Sequence, residues 1–131
     1  MRRLHLSIGA LGVLVFLGTG IYMRHHFPQA YAANEALRYI YRANHVYLLL
    51  ASLVNLALGL HLAAPRSGWR TGVATFGSLL VLVSPFVLTY AFLFEAPLGR
   101  PERIITALGI FAVAIGTVAQ ITAYGVRRRL A

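Results

Sequence analysis

Histidine is the residue type in this sequence best suited to chemistry, and three of the five histidines lie near the same loop. His25 and His26 are adjacent in the stretch YMRHHFP, where the first apolar run ends, and His45 stands at the start of the second run. Imidazole nitrogens are the usual axial ligands of haem and common ligands of metal ions. The spacing therefore predicts a candidate haem or metal site formed by His45 with His26 or His25, the metal itself being unspecified.

Other chemistries lack the residues that they need. The sequence has no Cys, which excludes disulfides, thiolate ligands and iron–sulfur clusters. All twelve basic residues are Arg, and without Lys there is no Schiff-base site and no Walker A phosphate loop. No Ser, His and acid fall in a recognised catalytic arrangement, so we expect a protein that is not an enzyme.

The elements that must position these histidines are apolar helices. Only 11% of the residues are charged, whereas a soluble domain has about a quarter. The charges separate four apolar segments, each long enough to cross a hydrocarbon core of about 30 Å as a helix. The sequence predicts one all-α domain, an integral membrane four-helix bundle with spans at about 4–22, 43–63, 71–94 and 104–126.

The arginines that flank these segments predict the orientation of the chain. Seven lie at the two termini and in the loop between the second and third segments, and five lie in the other two loops. Because cytoplasmic loops carry the excess of basic residues, we expect both termini in the cytoplasm, in a bacterial inner membrane. The net charge of +9 belongs to these helix ends, so no nucleic-acid partner is expected. The seven are Arg2, Arg3, Arg66, Arg70, Arg127, Arg128 and Arg129.

The first loop is long and predicts an extra helical region. Pro28 suits the first position of a helix, and neither Gly nor Pro occurs from 29 to 58. Before the fourth segment, Pro101 and Glu102 likewise predict a helix start. Cleavage of a signal peptide after Ala32 is an alternative, which the length of the first apolar run disfavours.

Each segment carries one stripe of small or polar residues. Small residues at steps of three and four let helices approach closely, and an amide can hydrogen-bond between helices. Pro85 removes a backbone donor from the third segment, and Ser84 or Thr89 could bond to the groups that it frees. The residues predicted to pack helices together are Gly9, Gly12, Asn55, Gly59, Gly109, Ala112 and Gly116.

These observations favour a structural or accessory membrane protein that assembles with copies of itself, or with a larger complex, through its small-residue faces. Haem or metal binding by the histidines near the first loop is the alternative. A small ion channel or transporter is a further alternative, because LVNLALG around Asn55 and ATFGS at 74–78 resemble small fluoride channels of similar size. The broken third helix of those channels, rich in Phe and Thr, is not reproduced here. The absence of acids inside the apolar segments disfavours a proton-coupled transporter.

Overall fold

The protein is an all-α bundle of four long helices. A computed structural model describes residues 1–61, 68–100 and 102–124, and no strand occurs within those ranges. The third helix continues through a π-helical turn, Ala91–Glu95, and a 3₁₀ turn, Ala96–Leu98. The predicted fold class is confirmed. The long helices are α1 Arg2–Ala30, α2 Glu35–His61, α3 Trp69–Tyr90 and α4 Ile104–Tyr124.

All four helices are long and apolar enough to cross a membrane. Large apolar side chains point outward on each of them, and Leu14, Leu60, Phe76 and Phe111 are all more than half exposed. The helices differ in how deeply they lie in the bundle. Half of the most apolar stretch of α3 is buried, compared with 17% of the corresponding stretch of α1. The third helix is therefore the interior helix of the bundle.

The first loop is largely helical, but its boundaries differ from the prediction. Helix α1 runs on to Ala30, so Pro28 lies inside its last turn and does not begin a helix. Helix α2 begins instead after Asn34, whose side-chain oxygen accepts a hydrogen bond from the Leu37 amide at 3.0 Å. Asn is a preferred residue for this capping role because its carbonyl satisfies an amide that the helix leaves free. Several predicted features lie outside the described residues, namely Arg66, Pro101, Arg127–Arg129 and the last residues of the second and fourth spans.

The helices are arranged as two tightly packed pairs. Helix α1 packs along α2 and α3 packs along α4, while α2 and α3 meet in the centre. Within the described residues α1 and α4 make no contact, so they occupy opposite corners. We call the end of the bundle that holds Met1, His61 and Trp69 the proximal end. The end that holds the α1–α2 and α3–α4 connections is the distal end.

Glycines lie where the backbones of each pair come closest. A Cβ atom on Gly9 would lie 2.8 Å from the backbone nitrogen of Leu56, and one on Gly59 would lie 2.8 Å from that of Leu6. Gly12 faces Ser52 on the same interface. These three predicted packing residues therefore form contacts within one chain, between α1 and α2.

The α3–α4 pair is built in the same way. A Cβ atom on Gly116 would lie 2.7 Å from the carbonyl oxygen of Gly77, and one on Gly109 would lie 2.7 Å from the Leu88 side chain. Gly77 was not identified from the sequence, although it is as close to α4 as Gly116 is to α3. Ala112 is half-buried on the same helix. Both pairs therefore use their small-residue faces inside the bundle, where those faces are not available to another chain.

Two apolar clusters fill the bundle between its polar groups. Leu48, Ala51, Leu88 and Val113 form a buried cluster between α2, α3 and α4. A second cluster closes the distal end, where Tyr41 and Phe92 pack edge to face with ring centroids 5.1 Å apart. Together they occupy the centre and the distal end of the bundle with apolar side chains.

Candidate functional site

The backbone carbonyl that Pro85 leaves free is the centre of a buried polar cluster. Proline has no N–H, so the carbonyl of Val81, four residues earlier, loses its helical donor. The Asn55 side-chain amide and the Ser84 hydroxyl both donate to that carbonyl, each at 2.8 Å. The prediction for Ser84 is confirmed, whereas Thr89 donates to the Pro85 carbonyl at 2.7 Å. Asn55 thus attaches α2 to the irregular point of α3.

His5 extends this cluster to α1. Its Nδ1 lies 2.8 Å from Asn55 Oδ1, and the histidine is fully buried. Because the Asn55 amide nitrogen also donates to the Ala51 carbonyl at 2.9 Å, its oxygen must face His5, and the proton lies on His5 Nδ1. His5 Nε2 has no hydrogen-bond partner among the described residues. One amide therefore joins α1, α2 and α3.

The second deep amide joins the other pair of helices. Gln120 donates to the Ala74 carbonyl at 2.6 Å and to the Ser78 hydroxyl at 2.8 Å. Both residues belong to α3, next to the close contact of Gly77 with Gly116. The two amides that lie deepest in the apolar segments therefore bond between helices and do not line an open path.

A carboxylate at the distal end caps helix α4. Glu95 Oε1 accepts the Ile105 amide at 2.7 Å, and Oε2 accepts the Thr106 amide at 2.8 Å. The sequence predicted a helix start at Pro101 with Glu102 in the first turn, but Glu102 is exposed, whereas Glu95 is only 8% exposed. The sequence did not indicate this role because Glu95 ends a π-helical turn. The i→i+5 hydrogen bonds of such a turn shift the side chains away from the 3.6-residue pattern of an α-helix.

This capping carboxylate belongs to a polar cluster between α2, α4 and the end of α3. The Thr106 hydroxyl lies 2.5 Å from Glu95 and 2.9 Å from Asn44 Oδ1. The Arg103 guanidinium donates to the same Asn44 oxygen. Asn44 is fully buried and was not predicted from the sequence as a site residue. The signal in the sequence was its place one turn before Leu48 and eleven residues before Asn55, on the buried face of the same helix.

His45 is oriented by helix α1. Its Nδ1 lies 2.8 Å from the Thr19 hydroxyl, and its ring stacks on Phe16 with centroids 3.9 Å apart. Because the Thr19 hydroxyl donates to the Phe16 carbonyl at 2.8 Å, the neutral His45 ring carries its proton on Nδ1. That tautomer leaves the lone pair of Nε2 available, as in histidines that bind metals through one nitrogen and are held by the other.

The other two predicted ligands lie at the exposed end of α1. His25 and His26 are both exposed, and His26 stacks on Tyr22 with centroids 4.2 Å apart. In the described residues no hydrogen bond or ring contact joins His45 to either of them, and no group of three or more His, Asp or Glu suits a metal ion. A haem held by two histidines remains a prediction for this corner.

A cavity of about 550 Å³ is lined in part by Thr19, the partner of His45. It opens between α1, α2 and α3, and the rings of Tyr22, Tyr31 and Tyr41 border it. The Tyr31 and Tyr41 ring centroids are 5.5 Å apart. Phenol groups above an apolar base suit an amphipathic guest such as a lipid or an aromatic ring.

Comparison of the chain with protein-family models, with curated proteins and with solved structures finds no match. The function therefore has to follow from the arrangement of its own residues.

Proposed function

We propose that this chain is a small multi-pass protein of a bacterial inner membrane, with both termini in the cytoplasm and a structural or accessory role. The observation that carries the proposal is the division of its surface from its interior. Buried amides and hydroxyls bond helix to helix, whereas large apolar side chains cover the outside of all four helices. A lipid environment favours this arrangement, because polar groups away from water need partners within the protein, whereas apolar side chains can face the lipid.

Assembly with copies of itself, or with a larger membrane complex, would use the outer helices. Helix α4 lies at a corner of the bundle and has one outward stripe of large apolar residues at steps of three and four. Lipid or a second helix could cover this stripe by side-chain packing alone. All members are more than half exposed: Ile104, Leu108, Phe111, Ile115, Val118 and Ile121. The apolar cluster around Leu48 supports this role over that of a channel within one chain.

Fractionation and reporter fusion test this proposal. We expect the protein to stay in the membrane pellet after an alkaline carbonate wash and to dissolve only with detergent. A cytoplasmic reporter fused after Ala131 should be active, and a periplasmic reporter fused there should be inactive. Cross-linking in membranes should give species of two or more chains. Release by carbonate would contradict the membrane assignment. Activity of a periplasmic reporter would contradict the orientation. A single-chain species at every cross-linker concentration would contradict the assembly.

Haem or metal binding is the second candidate, and the orientation of His45 favours it. The hydrogen bond to Thr19 holds the ring, and the Nε2 lone pair is free in the resulting tautomer. His26 or His25, from the last turns of α1, would supply a second ligand. A haem would bring its own redox or gas-binding chemistry, and the chain would supply the ligand and an apolar surrounding.

An absorption spectrum tests this candidate. For protein purified from cells supplied with haem, we expect a Soret band that His45→Ala abolishes, because Nε2 is then lost. His61→Ala is the matched control, since His61 is exposed at the opposite end of α2 and should leave the band unchanged. A colourless preparation without bound metal, or a band that survives His45→Ala, would contradict the assignment.

A further inference from the structure

Three arginines border one cavity at the distal end, and the functions proposed above do not use them. The cavity has a volume of about 330 Å³ and opens between α1 and α2. Arg24 comes from α1, while Arg38 and Arg42 come from successive turns of one face of α2. Among the described residues no acid lines the cavity, and the remaining lining consists of Gly20, Met23, Phe27 and Pro28.

Among the described residues, no acidic side chain pairs with the arginines of this cavity. In the described part of the chain, none of the three guanidinium groups forms an ion pair or a side-chain hydrogen bond. Arg38 is half-buried, and its Nε is inaccessible and has no partner. Three like charges around a small cavity repel one another, and a donor removed from water needs an acceptor. A bound anion would supply both the acceptor and the opposite charge.

We propose that this cavity binds the phosphate group of an anionic phospholipid. The planar guanidinium fork matches phosphate oxygens, and basic pockets between membrane helices bind such headgroups. The position fits a lipid better than a soluble phosphate. On the same helix faces, deeper in the bundle, Leu17 and Val46 are 54% and 57% exposed, and they could contact the acyl chains. This inference rests on the membrane insertion proposed above.

Gly20 shapes the deep end of the cavity. A Cβ atom there would lie 3.3 Å from the His45 ring, so a side chain at this position would fill the space between the helices. Met23 and Phe27 offer apolar surface at the level of the arginines, where the glycerol part of a lipid would lie. The cavity thus combines a cationic rim with an apolar lining, as the headgroup and glycerol of a phospholipid require.

Lipid titration followed by native mass spectrometry tests the proposal on the full chain in detergent. We expect one phosphatidylglycerol per chain, bound more tightly than phosphatidylcholine. Arg38→Gln should weaken phosphatidylglycerol binding on the order of 10- to 100-fold, because charge-assisted hydrogen bonds are lost. Arg38→Lys, which keeps the charge but loses the fork, should lie between Arg38→Gln and wild type.

The matched control is Arg100→Gln. Arg100 is exposed at the same end but does not line the cavity, so it should contribute only the general attraction of a surface charge, about fivefold or less. If Arg38→Gln does not fold, Arg24→Gln removes a guanidinium from the other wall and should weaken binding in the same way.

Four outcomes would overturn the site. They are equal binding of phosphatidylglycerol and phosphatidylcholine, equal effects of Arg38→Gln and Arg100→Gln, more than one tightly bound lipid per chain, and displacement of the lipid by millimolar inorganic phosphate. The last would assign the cavity to a soluble phosphate. If the protein needs detergent but binds no lipid, only the proposed lipid site is contradicted. If the protein is soluble without detergent, membrane insertion is contradicted.

Discussion

Asn55→Ala is expected to lower the free energy of unfolding by about 3 kcal/mol. The substitution removes the hydrogen bond to His5 and both side-chain donations to the carbonyls of Ala51 and Val81. A buried polar group left without a partner costs about 1–3 kcal/mol, and hydrogen bonds between membrane helices contribute roughly 0.6–2 kcal/mol each. Reversible unfolding in mixed detergent micelles, followed by circular dichroism, measures the loss.

Thr122→Ala is the control for this substitution. The Thr122 hydroxyl is exposed and bonds only to the Val118 carbonyl of its own helix, so its removal should change stability by less than about 0.5 kcal/mol. A second variant tests the role of the proline. Pro85→Ala restores an N–H that can donate to Val81, so Asn55→Ala should cost less in that background, by about 1 kcal/mol. Strict additivity of the two substitutions would contradict the shared carbonyl.

Glu95→Ala is expected to destabilise the protein by about 3 kcal/mol and to loosen the first turn of α4. It leaves the amides of Ile105 and Thr106 without acceptors and removes a negative charge from the N-terminus of that helix. Loss of a cap costs about 0.5–2 kcal/mol, and the unpaired buried groups add to it. The same unfolding assay measures the total, and hydrogen exchange of the two amides measures the local opening.

Glu102, in the connection between α3 and α4, is the control for this prediction. Glu102 is exposed and no side-chain hydrogen bond joins it to the described residues, so Glu102→Ala should leave stability within about 0.5 kcal/mol. Glu95→Gln should fall between Glu95→Ala and wild type, because it keeps one acceptor oxygen and replaces the other with an NH2 group that cannot accept from an amide. Equal effects of Glu95→Ala and Glu102→Ala would contradict the capping role.

The two substitutions test polar clusters at opposite ends of the bundle. Asn55 joins three helices toward the proximal end, and Glu95 joins α4 to the end of α3 at the distal end. Between these clusters lies the apolar cluster of Leu48, Ala51, Leu88 and Val113. The bundle is thus joined by polar groups at both ends and filled by apolar side chains between them. This arrangement supports the structural role proposed above.

The sequence by itself determined the fold class and the local consequences of its special residues. Four long apolar runs require helices in any apolar solvent, because only a helix satisfies its own backbone. The freed carbonyl near Pro85 also follows from the sequence, which offered Ser84 or Thr89 as its local donor, and the structure shows Ser84 in that place. The periodic glycines pointed to close helix approach for the same reason, although which helices they join is not a local property.

Only the tertiary structure decided which distant residues meet. His5 and Asn55 are 50 positions apart, and Asn44 and Thr106 are 62 apart, so no local pattern relates them. Gly77 was missed because its partner, Gly116, lies on another helix, and Glu95 was missed because a π-helical turn shifts it from the regular pattern. The same holds for the arginine cavity, since antiparallel packing of α1 on α2 brings Arg24 beside two arginines of the next helix. Helix formation depends on neighbours along the chain, whereas pairing of polar groups depends on how the helices pack.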